Sequence, residues 1–131
     1  EEELFFITGE KNIESGLDSL RKNFNVKLII VTLGERGAFY SFEEIKGKVS
    51  AFKTRVIDTT GAGDSFLSAF LFYILRKNIF VTPGKKELES AVMFANASAA
   101  ITVSKRGAIP ALPSLEEVKN FLELNNFKDV F

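Results

Sequence analysis

An amphipathic helix pattern followed directly by a buried strand pattern most constrains the fold of this chain. Between Asn12 and Phe24, apolar residues recur at helical spacing and charged residues occupy the opposite side. The run from Lys27 to Leu33 is apolar almost throughout, which is typical of a strand buried on both faces of a sheet. Because such sheets are covered by helices, the pattern predicts an α/β protein with a mainly parallel sheet.

Size and composition favour one globular domain. The chain has 131 residues, of which 46% are hydrophobic and 26% are charged, and a chain of this length can fold without a disulfide or a metal. Lys and Arg number 17, as do Asp and Glu, so no excess of positive charge is available for a nucleic acid backbone. No apolar run has the length of a membrane span. We therefore expect a cytoplasmic protein that binds neither nucleic acid nor membrane.

The absence of histidine and cysteine restricts the chemistry. It excludes Ser-His-Asp and Cys-His nucleophilic sites, zinc held by these ligands, iron–sulfur clusters and disulfides. Any catalysis must therefore use carboxylates, hydroxyls, backbone amides and cations with oxygen ligands.

The rest of the chain predicts further strands and helices. The segments Gly37 to Phe42 and Ile45 to Phe52 predict a hairpin or an edge pair. The segment Ser65 to Lys77 is apolar on nearly every side and predicts a fully buried helix. An alanine-rich helix is expected from Lys86 to Ser104, and a capping box predicts another helix start at Ser114.

A glycine turn before the apolar helix predicts an anion site. Gly61, Ala62 and Gly63 let a ligand approach backbone amides at the positive end of a helix dipole, where phosphate binds well. The carboxylate of Asp64 would repel that phosphate, and such an unfavourable placement is expected where the carboxylate has a function. The function that fits is removal of a proton from an attacking substrate hydroxyl. The amides of Ala62, Gly63 and Asp64 would stabilise charge on the transferred group. The same residues are also compatible with a capped turn that binds nothing.

Four blocks of sequence resemble the ribokinase-like, pfkB-type carbohydrate kinases. In chain order they are VTLGERG (31–37), DTTGAGDSF (58–66), FANASAA (94–100) and KRGAIPALP (105–113). The resemblance implies a three-layer α/β/α fold and transfer of a phosphoryl group from ATP, with Mg²⁺, to a sugar hydroxyl. It also implies that residues 1–131 are the C-terminal nucleotide-binding and catalytic part of such a kinase, without the N-terminal sugar-binding and lid part.

The resemblance assigns roles to individual residues. Asp64 matches the catalytic base, which also contacts the sugar, and Gly61, Ala62 and Gly63 match the anion hole. The positions that match the ATP site are Thr32, Gly34, Glu35, Gly37, Gly63 and Asn96, the last beside the adenine. The alternative interpretations are a strand-ending turn for Gly34 to Gly37 and a solvent-facing side chain for Asn96.

Two cation sites are also implied. Glu3 matches the acidic residue of a motif that positions Mg²⁺ and phosphate, although the asparagine of that motif would precede Glu1. In family members that are activated by K⁺, a monovalent cation binds near the anion hole. The residues that match its ligand positions are Asp58, Thr60, Thr102, Lys105 and Gly107. The alternatives are a solvated helix start around Glu3 and a solvated helix end at Lys105.

Three functions remain open. The tail Gly107 to Pro113 most resembles fructokinases, with ketodeoxygluconate kinase and ribokinase as alternatives. The second possible function is a non-catalytic nucleotide-binding or interaction module. An exposed sheet edge would favour a homodimer, and we expect the 131 residues alone to show little kinase activity. A dinucleotide oxidoreductase is the third. It needs a strand directly before the glycines and an acid about twenty residues later, where Thr82 to Lys86 contains none.

Overall fold

A three-stranded sheet with helices on both faces forms the centre of the chain. The computed structural model describes residues 1–79, 81–127 and 130–131. In chain order the elements are α1 (Glu2–Thr8), α2 (Ile13–Phe24), β1 (Leu28–Thr32), β2 (Ala38–Phe42), β3 (Ile45–Val49), α3 (Ala62–Lys77), α4 (Lys85–Val103) and α5 (Leu115–Leu124). Short 3-10 turns at Gly34–Arg36 and Ile109–Ala111 lie in the connections. The content of helix and strand confirms the α/β class.

The helices form a layer on each side of the sheet. Because strand residues point alternately to the two faces, Ile29 and Val31 pack with Leu4 and Leu17 of α1 and α2 in one apolar cluster. Tyr40 lies in a larger cluster, which the sheet shares with α3, α4 and α5. Helix α4 contacts β2 and β3, and both α3 and α5 pack against α4. This order confirms the three-layer α/β/α arrangement.

Both strand pairings within the described residues are antiparallel, in the order β1, β2, β3. Leu28 lies opposite Phe42, and the turn at Glu43 and Glu44 places Phe42 opposite Ile45. The predicted hairpin is therefore confirmed. The expected parallel pairing is not found among these three strands, because their connections are short and a parallel pair needs a crossover of a dozen or more residues.

Side-chain caps fix the starts of two helices where the sequence predicted them. Helix α2 begins at Ile13, and Asn12 Oδ1 accepts a hydrogen bond from the Ser15 amide at 2.9 Å. At the start of α5, Ser114 Oγ accepts from the Glu117 amide at 3.2 Å, and the Ser114 amide donates to Glu117 Oε2 at 2.7 Å. The predicted capping box is therefore confirmed.

Helix α3 is buried on one side only, so the prediction of burial on every side is wrong. Phe66 and Phe70 face the core, but Leu67, Leu71 and Leu75 have exposed fractions of 56%, 49% and 61%. These leucines are four residues apart and lie on one side of the helix, which we call the leucine stripe. The reason is that α4 covers only the opposite side of α3.

Within the described ranges, no helix is long and apolar enough to cross a bilayer.

Candidate functional site

Gly61 caps α3 in a conformation that favours glycine. Its φ is 80° and its ψ is 2°, in the left-handed region. A Cβ at this position would lie 3.3 Å from both Cα and Cβ of Ala108, closer than ordinary contact. Helix α3 begins at Ala62, three residues before the predicted start, because the glycine turn forms its N-cap and first turn. The predicted glycine turn therefore stands at a helix N-terminus.

Two backbone amides in the first turn of α3, those of Gly63 and Asp64, have no acceptor among the described residues. The Ser65 amide donates to the Gly61 carbonyl at 2.9 Å, and the Ala62 amide donates to the Thr59 carbonyl at 3.2 Å. Unpaired amides and the helix dipole together attract an anion. The structure thus leaves two of the three expected amides free, because the turn itself uses that of Ala62.

The space beside these amides is accessible. Gly63 and Asp64 are exposed, and a Cβ at Gly63 would meet nothing within 4 Å. A ligand can therefore approach the two free amides with the Asp64 carboxylate next to them. This arrangement can hold an anion and accept a proton from a group that attacks it.

The Asp58 carboxylate joins the glycine turn to the segment after α4. Its Oδ1 accepts from the Thr60 amide and its Oδ2 from the Gly107 amide, both at 2.9 Å. Hydrogen bonds from the Thr60 side chain and amide, and then from the Gly107 amide, lower the pKa of Asp58 from 3.8 to about 2. The structure therefore brings together three of the five positions predicted to hold a monovalent cation.

The other two of these positions, Thr102 and Lys105, lie at the end of α4. The Thr102 carbonyl accepts from the Lys105 amide at 3.1 Å, while the Thr102 side chain is fully buried. The Lys105 Nζ donates to Glu117 Oε1 at 2.7 Å, and this bond, with others from Ser114, lowers the pKa of Glu117 to about 2. Lys105 is therefore engaged with the start of α5. A cation site at the five positions stays a prediction.

Three buried hydroxyl groups lie under the glycine turn. The Ser65 Oγ is 2.8 Å from Ser98 Oγ and 2.8 Å from Thr102 Oγ1, and the Thr102 Oγ1 is 3.0 Å from the Ser98 carbonyl. Sequence reasoning missed Ser65 and Ser98. A usable signal was present, because Ser98 and Thr102 are four residues apart in the alanine-rich helix and so lie on one side of it.

The predicted nucleotide loop lies at one end of the sheet. Thr32 ends β1, and Gly37 has a φ of 93°, where an added Cβ would overlap the Val49 carbonyl at the end of β3. Asn96 is buried, and its Nδ2 donates to the Val49 and Ser50 carbonyls, each at 3.2 Å. The structure thus places Thr32, Gly37 and Asn96 around the same sheet end, and the solvent-facing alternative for Asn96 is wrong.

The middle of this loop is exposed. Gly34 has a φ of 58°, Glu35 faces solvent in the 3-10 turn, and the Leu33 amide donates to the Gly37 carbonyl at 2.8 Å. The loop is therefore a closed turn with an accessible outer surface, as a ligand-binding loop requires.

Glu3 lies in the first turn of α1 and is exposed. Among the described residues, no hydrogen bond joins Glu3 to the glycine turn, and no group of three carboxylates is placed to hold a metal. Magnesium is usually bound by one or two carboxylates together with substrate phosphates. The residues present therefore fit a magnesium ion that arrives with a nucleotide better than a site built by the protein alone.

The oxidoreductase alternative lacks its structural requirement. Strand β3 ends at Val49, and residues 50–61 contain no strand. A dinucleotide fingerprint needs its glycines directly after a strand. The glycine turn of this chain therefore does not belong to that class of site.

The architecture and the glycine turn are typical of α/β proteins that bind phosphate groups. Residues 1–115 match the pfkB family of carbohydrate kinases, to which the chain therefore belongs. The chain is 42% identical over 123 residues to fructokinase-1 of Oryza sativa subsp. japonica. The aligned region covers 94% of this chain and 38% of the rice protein.

Solved structures agree in fold. The fructokinase of Vibrio cholerae O395, with fructose, ADP and a calcium ion bound, has a TM-score of 0.81 and 35% identity over 93% of this chain and 39% of its own. The Arabidopsis thaliana ribokinase with ribose and ATP has a TM-score of 0.76 and 29% identity over 94% and 39%, respectively. The ribokinase-like fold and the resemblance to fructokinases are confirmed. The chain spans less than half of the length of these relatives.

Proposed function

We propose that the complete protein transfers the γ-phosphoryl group of ATP to a hydroxyl of fructose. The observation that carries this proposal is the pair of free amides of Gly63 and Asp64 beside the exposed Asp64 carboxylate. Membership of the pfkB family and the likeness to fructokinases over most of the chain support the same reaction.

In this proposal the glycine turn binds the transferred group and Asp64 accepts the hydroxyl proton. The Gly63 and Asp64 amides donate to phosphoryl oxygens, where charge is stabilised during transfer. Asp64 contacts the sugar hydroxyl and removes its proton as the new bond to phosphorus forms. Magnesium bound with ATP offsets phosphate charge. Gly61 and Ala62 shape the turn that holds these donors.

We also propose the predicted ATP positions as the nucleotide site. Asn96 supports this, because its bonds to the end of β3 fix its side chain next to the loop that contains Gly34, Glu35 and Gly37. A site of this kind would use a pre-formed backbone turn and few side chains. Thr32, at the end of β1, adjoins the same loop.

The cation positions are proposed with it. Glu3 would help to position magnesium. A monovalent cation such as K⁺ would lie by the glycine turn, with ligands from Asp58, Thr60, Thr102, Lys105 and Gly107. Hard cations prefer oxygen ligands, which these residues supply through a carboxylate and backbone carbonyls. The Asp58 bridge to Gly107 supports this, because it holds the two loops together.

We further propose that residues 1–131 supply the C-terminal nucleotide-binding and catalytic part of a cytoplasmic kinase that binds a sugar and ATP, and neither nucleic acid nor membrane. The share of the relatives that the chain spans, 38% for the rice fructokinase, supports this division. The sugar pocket and lid would then come from another part of the protein, so residues 1–131 alone are expected to show little activity.

An assay of the complete protein tests the proposal. Release of ADP from MgATP is measured with fructose, ribose or ketodeoxygluconate, with a reaction without sugar as the control. Turnover of fructose above the other two supports fructokinase activity, and preference for another sugar replaces fructose by that substrate. Binding of ATP without turnover of any sugar would contradict the kinase proposal and favour a nucleotide-binding module.

One observation favours the interaction module as a second candidate. The leucine stripe on α3 exposes three large apolar side chains on one side of a helix, and contiguous apolar surface often marks an interface. We propose that residues 1–131, when alone, form a homodimer through this stripe. Measurement of the oligomeric state tests this candidate without any substrate.

A further inference from the structure

Three buried hydroxyls hold the first turn of α3 against α4. The exposed fractions of Ser65, Ser98 and Thr102 are 2%, 4% and 0%. A buried hydroxyl without a partner costs free energy, and here each one lies within 3.0 Å of another or of a carbonyl. We call this group the hydroxyl cluster. It gives the surrounding apolar interface a specific position, because hydrogen bonds depend on distance and angle more sharply than apolar contacts do.

Besides this cluster, the start of α3 is held by the buried Phe66, and no side chain caps it. Its N-cap is Gly61, which has no side chain to bond the free amides of the first turn, and no side-chain cap is present. Helix ends fray when their terminal groups lack partners. Ser65 directly follows Asp64, and neighbouring Cα atoms are about 3.8 Å apart. Any shift of Ser65 must therefore move Asp64 as well.

The glycine turn thus lies between two anchors. On one side, the Asp58 carboxylate bonds to Gly107. On the other side, Ser65 bonds to Ser98 and Thr102 of α4. Six residues, 59–64, lie between the anchors, and the last four of them carry the free amides and the carboxylate of the proposed site.

We propose that Ser65 and Ser98 are positioning residues for the phosphoryl transfer. Their hydroxyls fix the first turn of α3, and so the Asp64 carboxylate and its two amides, at the place that the reaction needs. This inference rests on the proposed kinase function. Small misplacement of a catalytic group can reduce a rate by as much as about 100-fold, while it changes ground-state binding much less.

The Ser65→Ala and Ser98→Ala variants of the complete protein test this role. We expect kcat to fall by about 5- to 50-fold, with KM for ATP changed less than about twofold, because the turn remains but its position is less well defined. The matched control is Ile74→Val, which loses one buried methylene from the other end of α3. Ile74→Val should reduce thermal stability about as much as the two serine variants do, and it should leave kcat unchanged.

Backbone amide exchange adds a readout that needs no activity. In wild type the backbone amide of residue 65 donates to the Gly61 carbonyl. This amide should exchange about tenfold faster in both serine variants, whereas its exchange rate should be unchanged in Ile74→Val. Unchanged kcat in the serine variants, or a loss that Ile74→Val reproduces, overturns the inference while the kinase function stands. If the wild-type protein phosphorylates no sugar, the proposed function fails. In that case amide exchange alone tests whether the hydroxyl cluster anchors the first turn of α3. An unchanged exchange rate at residue 65 in the serine variants overturns this anchoring.

Discussion

Asp58 and Gly107, which are 49 residues apart in sequence, are joined by a 2.9 Å hydrogen bond from the Gly107 amide to the Asp58 carboxylate. Gly107 has a φ of 88°, a conformation that few residues other than glycine adopt. The same carboxylate accepts a hydrogen bond from the Thr60 amide. Asp58 therefore fixes the segment after α4 to the glycine turn, and its protonation should affect the stability of both.

We expect Asp58→Asn to reduce stability at neutral pH and to remove part of its dependence on acid. The folded-state pKa of Asp58, about 2, is below its ordinary value of 3.8. The ionised carboxylate thus contributes stability that is present above about pH 4 and is lost as the pH falls towards 2. The difference in free energy of unfolding between wild type and variant should shrink over this range. Urea unfolding at several pH values measures it.

Glu117 provides the control for this experiment. Its pKa is also lowered to about 2, first by the hydrogen bond from Lys105 and then by those from Ser114. Glu117→Gln should remove a separate part of the acid dependence, and the double variant should lose both, because the two carboxylates have different partners. A wild-type to Asp58→Asn difference that stays constant as the pH falls would contradict the assigned role.

We expect Asp64→Asn to impair turnover of the complete protein far more than binding. The variant keeps the size of the side chain and loses the proton acceptor, so kcat should fall by about 100- to 10,000-fold while the affinity for ATP remains nearly the same. Steady-state kinetics and a nucleotide-binding titration measure the two effects. A fall of less than fivefold would show that Asp64 is only an acidic residue of the first helical turn.

Gly63→Val should weaken both turnover and nucleotide binding. A Cβ at Gly63 meets no protein atom within 4 Å, so the side chain can be accommodated in the folded chain but would occupy the space beside the free amides. We expect at least a tenfold loss of ATP affinity with little change in thermal stability. Gly63→Ala, with a smaller side chain, should show a smaller loss. Equal ATP affinity in all three proteins would exclude phosphate from this turn.

Local sequence patterns predicted most of the elements of this fold. The helix from Ile13, the strand from Leu28 and the capping box at Ser114 depend on residues close in sequence, and each is confirmed. The antiparallel pairing of the three strands follows from their short connections, whereas the apolar run of β1 alone predicted a parallel sheet. The burial of α3 depends on which distant elements pack against it, which is why Leu71 is exposed although its helix is apolar on nearly every side.

The candidate site divides in the same way. The glycine turn and Asp64 are consecutive in sequence, so their position at a helix start was predictable. The bond between Asp58 and Gly107 and the contact of Ser65 with α4 connect residues more than 30 positions apart. Local patterns do not show such contacts, and the spacing of Ser98 and Thr102 indicates only that both lie on one side of α4. A buried serine in a helix also looks the same in sequence as an exposed one.

Gly47→Ala should destabilise the fold through Tyr40. The Tyr40 side chain is fully buried, its hydroxyl donates to Glu89 at 3.1 Å, and burial is the main cause that raises its pKa to about 12. An added Cβ at Gly47 would overlap the Tyr40 ring and hydroxyl. We expect a loss of about 1 to 3 kcal/mol in thermal or urea unfolding, as for other overpacked sites.

A control for this substitution is Gly84→Ala. A Cβ at Gly84 meets only Glu87 Oε2, at 3.4 Å, which is ordinary contact. Gly84 is the N-cap of α4, where glycine is preferred to alanine, but alanine also lowers the entropy of the unfolded chain, so the two effects offset one another and stability should change by less than about 0.5 kcal/mol. Adding Tyr40→Phe to Gly47→Ala removes the overlapping hydroxyl and should recover part of the loss. If Gly47→Ala is as stable as wild type, β3 must shift enough to make room for the methyl group.

The leucine stripe should make residues 1–131 self-associate when they are prepared alone. We expect sedimentation at micromolar concentrations to show dimers, and Leu71→Lys to shift the population to monomers, because a charge at the centre of the stripe opposes its burial. Leu124→Lys is the control, since Leu124 on α5 is 84% exposed and lies outside the stripe. In the complete protein, a stripe covered by another part of the chain would make Leu71→Lys destabilising instead. A monomeric wild-type chain with the same sedimentation as both variants would show that the stripe is not an interface between copies.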